Sequence, residues 1–145
     1  MSKNKFPIPF EQLFDNFSSH LLKELFKDGF MNMVPDYSPN SLLVVEEKLL
    51  KHFNSKGKEL SQEVFAGIVP IGYYYGETLV RNIPGAYWKI DNNELIRDQM
   101  VAIPTDKVPG YNRAYVKPFT AVGRYCIDQE KGLFELYNEM VHIAQ

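Results

Sequence analysis

Apolar residues recur every three or four positions over residues 10–27, where Phe10, Leu13, Phe14, Phe17, Leu21 and Leu25 form one face of an amphipathic helix. Asp28-Gly29 supplies its stop, since glycine suits the left-handed position after a helix. Ser38-Pro39 opens a second helix, with serine as N-cap and proline at the first helical position, running to about Phe53. Its buried stripe is Leu42, Val45, Leu49, Leu50 and Phe53, and Asn54-Ser55-Lys56-Gly57 ends it. A third helix starts near Lys58 or Glu59 and reaches about Arg81, with Phe65, Ile68, Val69, Gly72, Gly76, Leu79 and Val80 on one face. Pro70 inside this helix predicts a kink or a break. Gly72 and Gly76, four apart on the packing face, predict a close approach by a neighbouring element. In the run Tyr73-Tyr74-Tyr75 each residue turns by about 100°, so at least one ring is expected at the surface.

After the turn Pro84-Gly85 the period changes. Ala86 to Ile90 and Leu95 to Ile103 predict two strands joined across Asp91-Asn92-Asn93, and Tyr111 to Lys117 alternates as a short edge strand. Pro118 opens a short helix through Cys126, and Leu133, Phe134, Leu136, Tyr137, Met140, Val141 and Ala144 make a last helix that docks on the sheet. The expected architecture is one α+β domain over residues 1–145: three N-terminal helices, a small antiparallel sheet and a C-terminal helix.

Composition narrows the functional classes. With 145 residues, 45% hydrophobic and 14% aromatic, the chain can bury a core without metal or disulfide. A net charge of −2 disfavours nucleic acid as a partner. The basic concentration Lys48, Lys51, His52, Lys56 and Lys58 reads as a solvated helix end that complements the helix dipole. Two lysines precede a short, proline-broken apolar run at the N-terminus, and no signal-peptide core or membrane span follows. Cys126 is the only cysteine, which fits a reducing compartment and a buried small hydrophobe. A cytoplasmic setting is expected, with the sequon Asn16-Phe17-Ser18 unused.

Three segments resemble an uncharacterised family of small bacterial proteins: Asp36-Tyr37-Ser38-Pro39-Asn40-Ser41-Leu42, Gly72-Tyr73-Tyr74-Tyr75-Gly76-Glu77 and Gly85-Ala86-Tyr87-Trp88. The resemblance lies in an aromatic, a small residue and Gly-Glu on a helix, followed by a Gly-Gly-x-Trp turn into a hairpin. It covers residues 36–100, with a looser match to the last helix. Pro84-Gly85-Ala86 and Pro70 depart from the family pattern. The resemblance implies architecture and no activity.

No hydrolase elbow, phosphate loop, dinucleotide fingerprint or Cys-x-x-Cys pair occurs, and no catalytic residues, metal or cofactor are assigned. Glu139-x-x-His142 is half of a di-iron pattern without its second copy, and reads as a helix surface pair. Adjacent Glu46 and Glu47 point about 100° apart and read as a solvated helix face. The strongest constellation is Glu77 with Arg81, in the favourable order for a helical ion pair. One reading is a pocket with Glu77 and Arg81 as its polar floor, Arg81 holding an anionic group and Tyr73 and Trp88 walling it; a partly buried structural ion pair tying the helix to the hairpin is the preferred reading.

These features favour a non-enzymatic cytoplasmic bacterial protein that binds another protein, in an immunity-type or adaptor role, with no nucleic-acid or membrane partner. The candidate interface is Tyr74, Tyr111, Arg113 and Tyr115, residue types enriched in binding hot spots. The alternative is a small-molecule-binding domain or enzyme that uses Tyr73, Glu77, Arg81 and Trp88.

Overall fold

From Ile68 to Leu79 the third predicted helix is apolar or small almost all round, a pattern that suits a helix with neighbours on every side. A computed structural model describes residues 32–33, 35–107, 109–110 and 112–144, and there this helix is the centre of the fold. Helix α1 spans Ser41–His52 and α2 spans Gln62–Asn82. Strands β1 (Tyr87–Lys89), β2 (Met100–Pro104) and β3 (Arg113–Val116) follow, then α3 (Pro118–Asp128) and α4 (Leu133–Ala144). The three strands form an antiparallel sheet in the order β1-β2-β3.

The architecture is α+β, with two helices before the sheet and two after it among the described residues. The helix expected over residues 10–27 lies outside them. The short helix expected after Pro118 is a full element of 11 residues, ended by Gln129 in the left-handed conformation. The strand expected from Leu95 begins only at Met100, because Ile96–Asp98 forms a turn of 3-10 helix.

The tyrosine run departs from expectation: Tyr73, Tyr74 and Tyr75 are all buried. Their rings do point in different directions, and each direction holds a different element. Tyr73 stacks on Trp88 of β1, Tyr74 meets Ser41 of α1, and the Tyr75 hydroxyl donates to the carbonyl of Leu133 at the start of α4.

The α2 helix begins at Gln62, not at Lys58 or Glu59, because the Ser61 hydroxyl accepts the amide of Val64 and caps it there. It runs through Pro70 without a break. An interior proline costs about 3 kcal/mol or more. Ile68, Val69 and Ile71, all buried within a turn of it, each contribute about 1.5–3 kcal/mol. Burial therefore outweighs the lost hydrogen bond and the helix persists. The α1 helix begins at Ser41 with Asn40 as its N-cap, two residues later than Ser38-Pro39 predicts; the Ser38 hydroxyl accepts the amide of Ser41 in the turn before it.

Glycines set how closely α2 can be approached. A methyl group on Gly72 would lie 2.4 Å from Cδ1 of Phe119 in α3. On Gly76 it would lie 2.2 Å from Cη2 of Trp88 and 2.9 Å from Cγ of Pro118. The turn that delivers Trp88 is built from Ile83-Pro84-Gly85-Ala86, closed by the Ala86 amide on the Ile83 carbonyl. Proline in its second position and Gly85 at φ +79° in its third fit a type II turn.

Glu46 also departs from its expected solvated position, whereas Glu47 is exposed. The Glu46 carboxylate accepts the amide of Phe134 at 2.9 Å. Phe134 is the second residue of α4, so its N–H has no partner inside the helix, and a carboxylate there also complements the helix dipole. Gly132 leaves the carboxylate room, since a methyl group at that position would lie 2.6 Å from its oxygen.

Replacing Gly76 tests the central packing. Alanine gains about 1 kcal/mol of helix propensity over glycine. Overpacking against the Trp88 ring costs about 1–3 kcal/mol or more, so the net change is destabilising. Gly76→Ala is expected to lower the melting temperature by a few degrees and Gly76→Leu by more. An unchanged melting temperature in both variants would remove the close contact from the account.

Candidate functional site

The C-terminal half of α2 gathers the residues marked in the sequence. Glu77 and Arg81 lie one turn apart, and their side chains meet with Arg81 Nε 3.0 Å from Glu77 Oε1. The other carboxylate oxygen accepts the indole N–H of Trp88 at 3.0 Å. Tyr73 stacks on Trp88 with ring centroids 5.9 Å apart and planes within 4°. All four residues of the candidate pocket are thus together.

The two aromatic rings of this group also pack on their surroundings. Trp88 lies against the bare backbone of Gly76 and tilts onto Phe119 at 6.1 Å. Glu77 is largely buried and has both oxygens engaged, while Arg81 is half exposed. Burial and the neighbouring Glu77 carboxylate push the Tyr73 hydroxyl well above its ordinary range, so it stays protonated at neutral pH.

Tyr37 completes this cluster. Its ring stacks on Tyr74 at 4.8 Å, and the Arg81 guanidinium lies 3.8 Å from its centroid, a cation–π distance. Its amide donates to the Tyr74 hydroxyl, and its carbonyl accepts from Asn82 Nδ2. These bonds hold Tyr37 at φ +59°, a left-handed conformation uncommon for an aromatic residue. Periodicity gives no signal for Tyr37 because it precedes the helix. The nearest clue is Asp36, whose carboxylate accepts the Ser38 amide and turns the chain.

The interface candidates separate. Tyr74 is fully buried, and its hydroxyl bonds Ser41 and the Tyr37 amide. Tyr111 lies outside the described residues. Arg113 and Tyr115 both sit on β3, on the sheet face opposite Trp88, Val101 and Val116. Tyr87 joins them, since Tyr87, Ala102 and Tyr115 are direct cross-strand partners in one row.

Two contacts cross above β2. Arg113 Nη1 donates to the Tyr87 hydroxyl at 2.5 Å, and Lys89 Nζ lies 5.1 Å from the Tyr115 ring centroid. Ala102 lies between the two tyrosines and is fully buried, while the tyrosines stay 43% and 44% exposed.

Other reactive types have structural partners. Lys131 Nζ bonds both carboxylate oxygens of Glu139, at 3.0 and 2.8 Å. His20 lies outside the described residues, while His52 and His142 are exposed at the ends of α1 and α4. Among the described residues, no three histidine, cysteine or acidic side chains come together as metal ligands. No helix there is long and apolar enough to cross a membrane. Cys126 is buried, and desolvation pushes its thiol up to about 11.

The Glu77 contacts predict unequal effects. Glu77→Ala leaves the Trp88 N–H without its acceptor and is expected to cost about 1–3 kcal/mol. Arg81→Ala removes a half-exposed ion pair worth about 0.3–0.5 kcal/mol, together with a cation–π contact of about 0.5–1 kcal/mol. A cycle pairing Glu77→Gln with Trp88→Phe should show coupling of about 0.5 kcal/mol or more, measured by urea unfolding. For Cys126, a thiol that titrates near 11 carries little thiolate at pH 8. A disulfide reagent should label it slowly in the folded protein and rapidly in urea; equal rates would contradict its burial.

Comparison of the chain with known protein families, characterised proteins and solved structures finds no match.

Proposed function

We propose that this chain is a non-enzymatic protein that acts by binding another protein, in an adaptor or immunity-type role in a bacterial cytoplasm. The observation that carries this reading is the outer sheet face of Tyr87, Lys89, Arg113 and Tyr115. Tyr87 and Tyr115 are two of the four large hydrophobic residues left exposed among those described, and they share one cross-strand row. Exposed tyrosine and arginine are the residue types that dominate protein interfaces, because each offers a broad apolar body with a polar tip.

The face is also prepared for contact. The Arg113–Tyr87 and Lys89–Tyr115 contacts restrain four side chains before any partner arrives, which lowers the entropy lost on association. Its cations suit an acidic protein segment. A protein fits better than a nucleic acid, given the net charge of −2 and the small extent of the basic surface. The alternative of a small molecule held by Tyr73, Glu77, Arg81 and Trp88 ranks second, because both Glu77 oxygens are already bonded, to Arg81 and Trp88, and Trp88 stacks on Tyr73.

The test is capture of partners from the native host with tagged wild type and with Arg113→Ala, Tyr115→Ala and Tyr87→Ala, read by quantitative mass spectrometry. Each substitution is at an exposed or half-exposed position and should leave the melting temperature within about 2 °C of wild type. At least one partner should fall by about tenfold in the Arg113 and Tyr115 variants, corresponding to about 1.4 kcal/mol. Full capture by all three variants would sink this reading.

A further inference from the structure

A second surface feature lies away from the sheet face. The start of α2, the outer side of α3 and the 3-10 turn at Ile96–Asp98 enclose an open cleft of about 730 Å³. This volume is in the range of small-molecule sites. Its apolar lining includes Leu60, Phe65, Leu95, Phe119 and Ile127, and Arg97 and Arg124 stand at its border. Gly123 shapes the wall: a methyl group there would lie 2.8 Å from Cδ1 of Leu60.

Arg97 is the distinctive group. Its guanidinium has no ion pair or side-chain hydrogen bond among the described residues, whereas Arg124 lies 3.7 Å from Asp128. The backbone beneath Arg97 is nevertheless tightly held. Its carbonyl accepts from the Thr120 hydroxyl in α3 at 2.5 Å, and neighbouring Asp98 pairs with Lys117 at 3.3 Å.

Behind the turn, buried Gln99 bonds back to the preceding loop. Its oxygen accepts the Asp91 amide at 2.8 Å, and its amide nitrogen, Nε2, donates to the Asp91 carbonyl at 2.7 Å. A fixed platform thus presents a guanidinium without a side-chain partner among the described residues, beside a cleft with an apolar strip of Leu60, Phe65, Leu95, Phe119 and Ile127. Glu59 supplies one carboxylate to the same lining, and Arg124 is already paired with Asp128, so Arg97 is the cation left for a ligand.

We propose that this cleft binds an organic anion with an apolar body, its carboxylate on Arg97 and its hydrocarbon over Leu60, Phe65 and Phe119. Guanidinium matches a carboxylate in planar, bidentate geometry. The apolar lining favours a ligand larger than a simple inorganic ion, through burial of hydrocarbon. The cleft uses none of Tyr87, Lys89, Arg113 or Tyr115, so this inference stands apart from the sheet-face reading.

The experiment uses the full chain labelled with ¹⁵N and titrated with octanoate, 1-octanol and acetate. Octanoate should shift the amides of residues 60–65, 95–97 and 119–127 saturably. Acetate, with the charge alone, should not; 1-octanol, with the tail alone, should bind about tenfold more weakly or worse. Arg97→Met keeps an apolar stem at an exposed position and should weaken octanoate by about tenfold while leaving the melting temperature and the 1-octanol affinity unchanged. The proposal is overturned if octanoate gives no saturable shift at these amides. Equal affinity for octanoate and 1-octanol, or wild-type octanoate affinity in Arg97→Met, overturns it too.

Discussion

The indole of Trp88 lies where Gly76 has no side chain, and much of the fold depends on that contact. It joins the sheet to the central helix and sets the place of Phe119, which tilts against the same ring and lies over Gly72. Through Phe119 it also bears on α3. Glycine in a helix interior is unfavourable by about 1 kcal/mol relative to alanine. Burying a large aromatic ring against the bare backbone more than offsets that penalty.

Once α2 is enclosed, its polar groups need partners within the fold. Glu77 answers the Trp88 N–H, Tyr75 answers the Leu133 carbonyl, and the Thr78 hydroxyl turns back to the Tyr74 carbonyl at 2.8 Å. Buried polar atoms cost little when they are paired and a great deal when they are not. None of the buried side-chain nitrogen and oxygen atoms among the described residues lacks a hydrogen-bond partner. Groups that could have been reactive in isolation are therefore committed to holding elements together.

The elements that are legible in the sequence are those whose information is local. The stripe of α1, the turn at Pro84-Gly85 and the start of α3 at Pro118 follow from spacing and turn chemistry. The glycine pair on α2 announces a close approach, although it does not name Trp88 and Phe119 as the neighbours. What is not legible depends on tertiary surroundings. Tyr73-Tyr74-Tyr75 looks like a run that must expose one ring, and only the presence of α1, β1 and α4 around α2 buries all three. Glu46 looks solvated because its partner is an amide in a helix far along the chain. The stretch from Leu95 has strand-like residues, but Gln99 folds it back by bonding Asp91, a contact that periodicity does not register. At Tyr73, Glu77, Arg81 and Trp88 the sequence indicates which residues meet, and the fold decides that Trp88 stacks on Tyr73 and bonds Glu77.

The capping of α4 by Glu46 has a consequence for the order in which this chain can fold. Donor and acceptor are 88 positions apart, and the Tyr75–Leu133 bond spans 58. Closing such long loops must precede the contacts that reward it, which slows folding relative to a chain of local contacts. During synthesis, α1 and α2 emerge well before α4 exists. Until it arrives, the Glu46 carboxylate lacks the Phe134 amide and the Tyr75 hydroxyl lacks the Leu133 carbonyl. Helix α4 therefore completes contacts that α1 and α2 leave open.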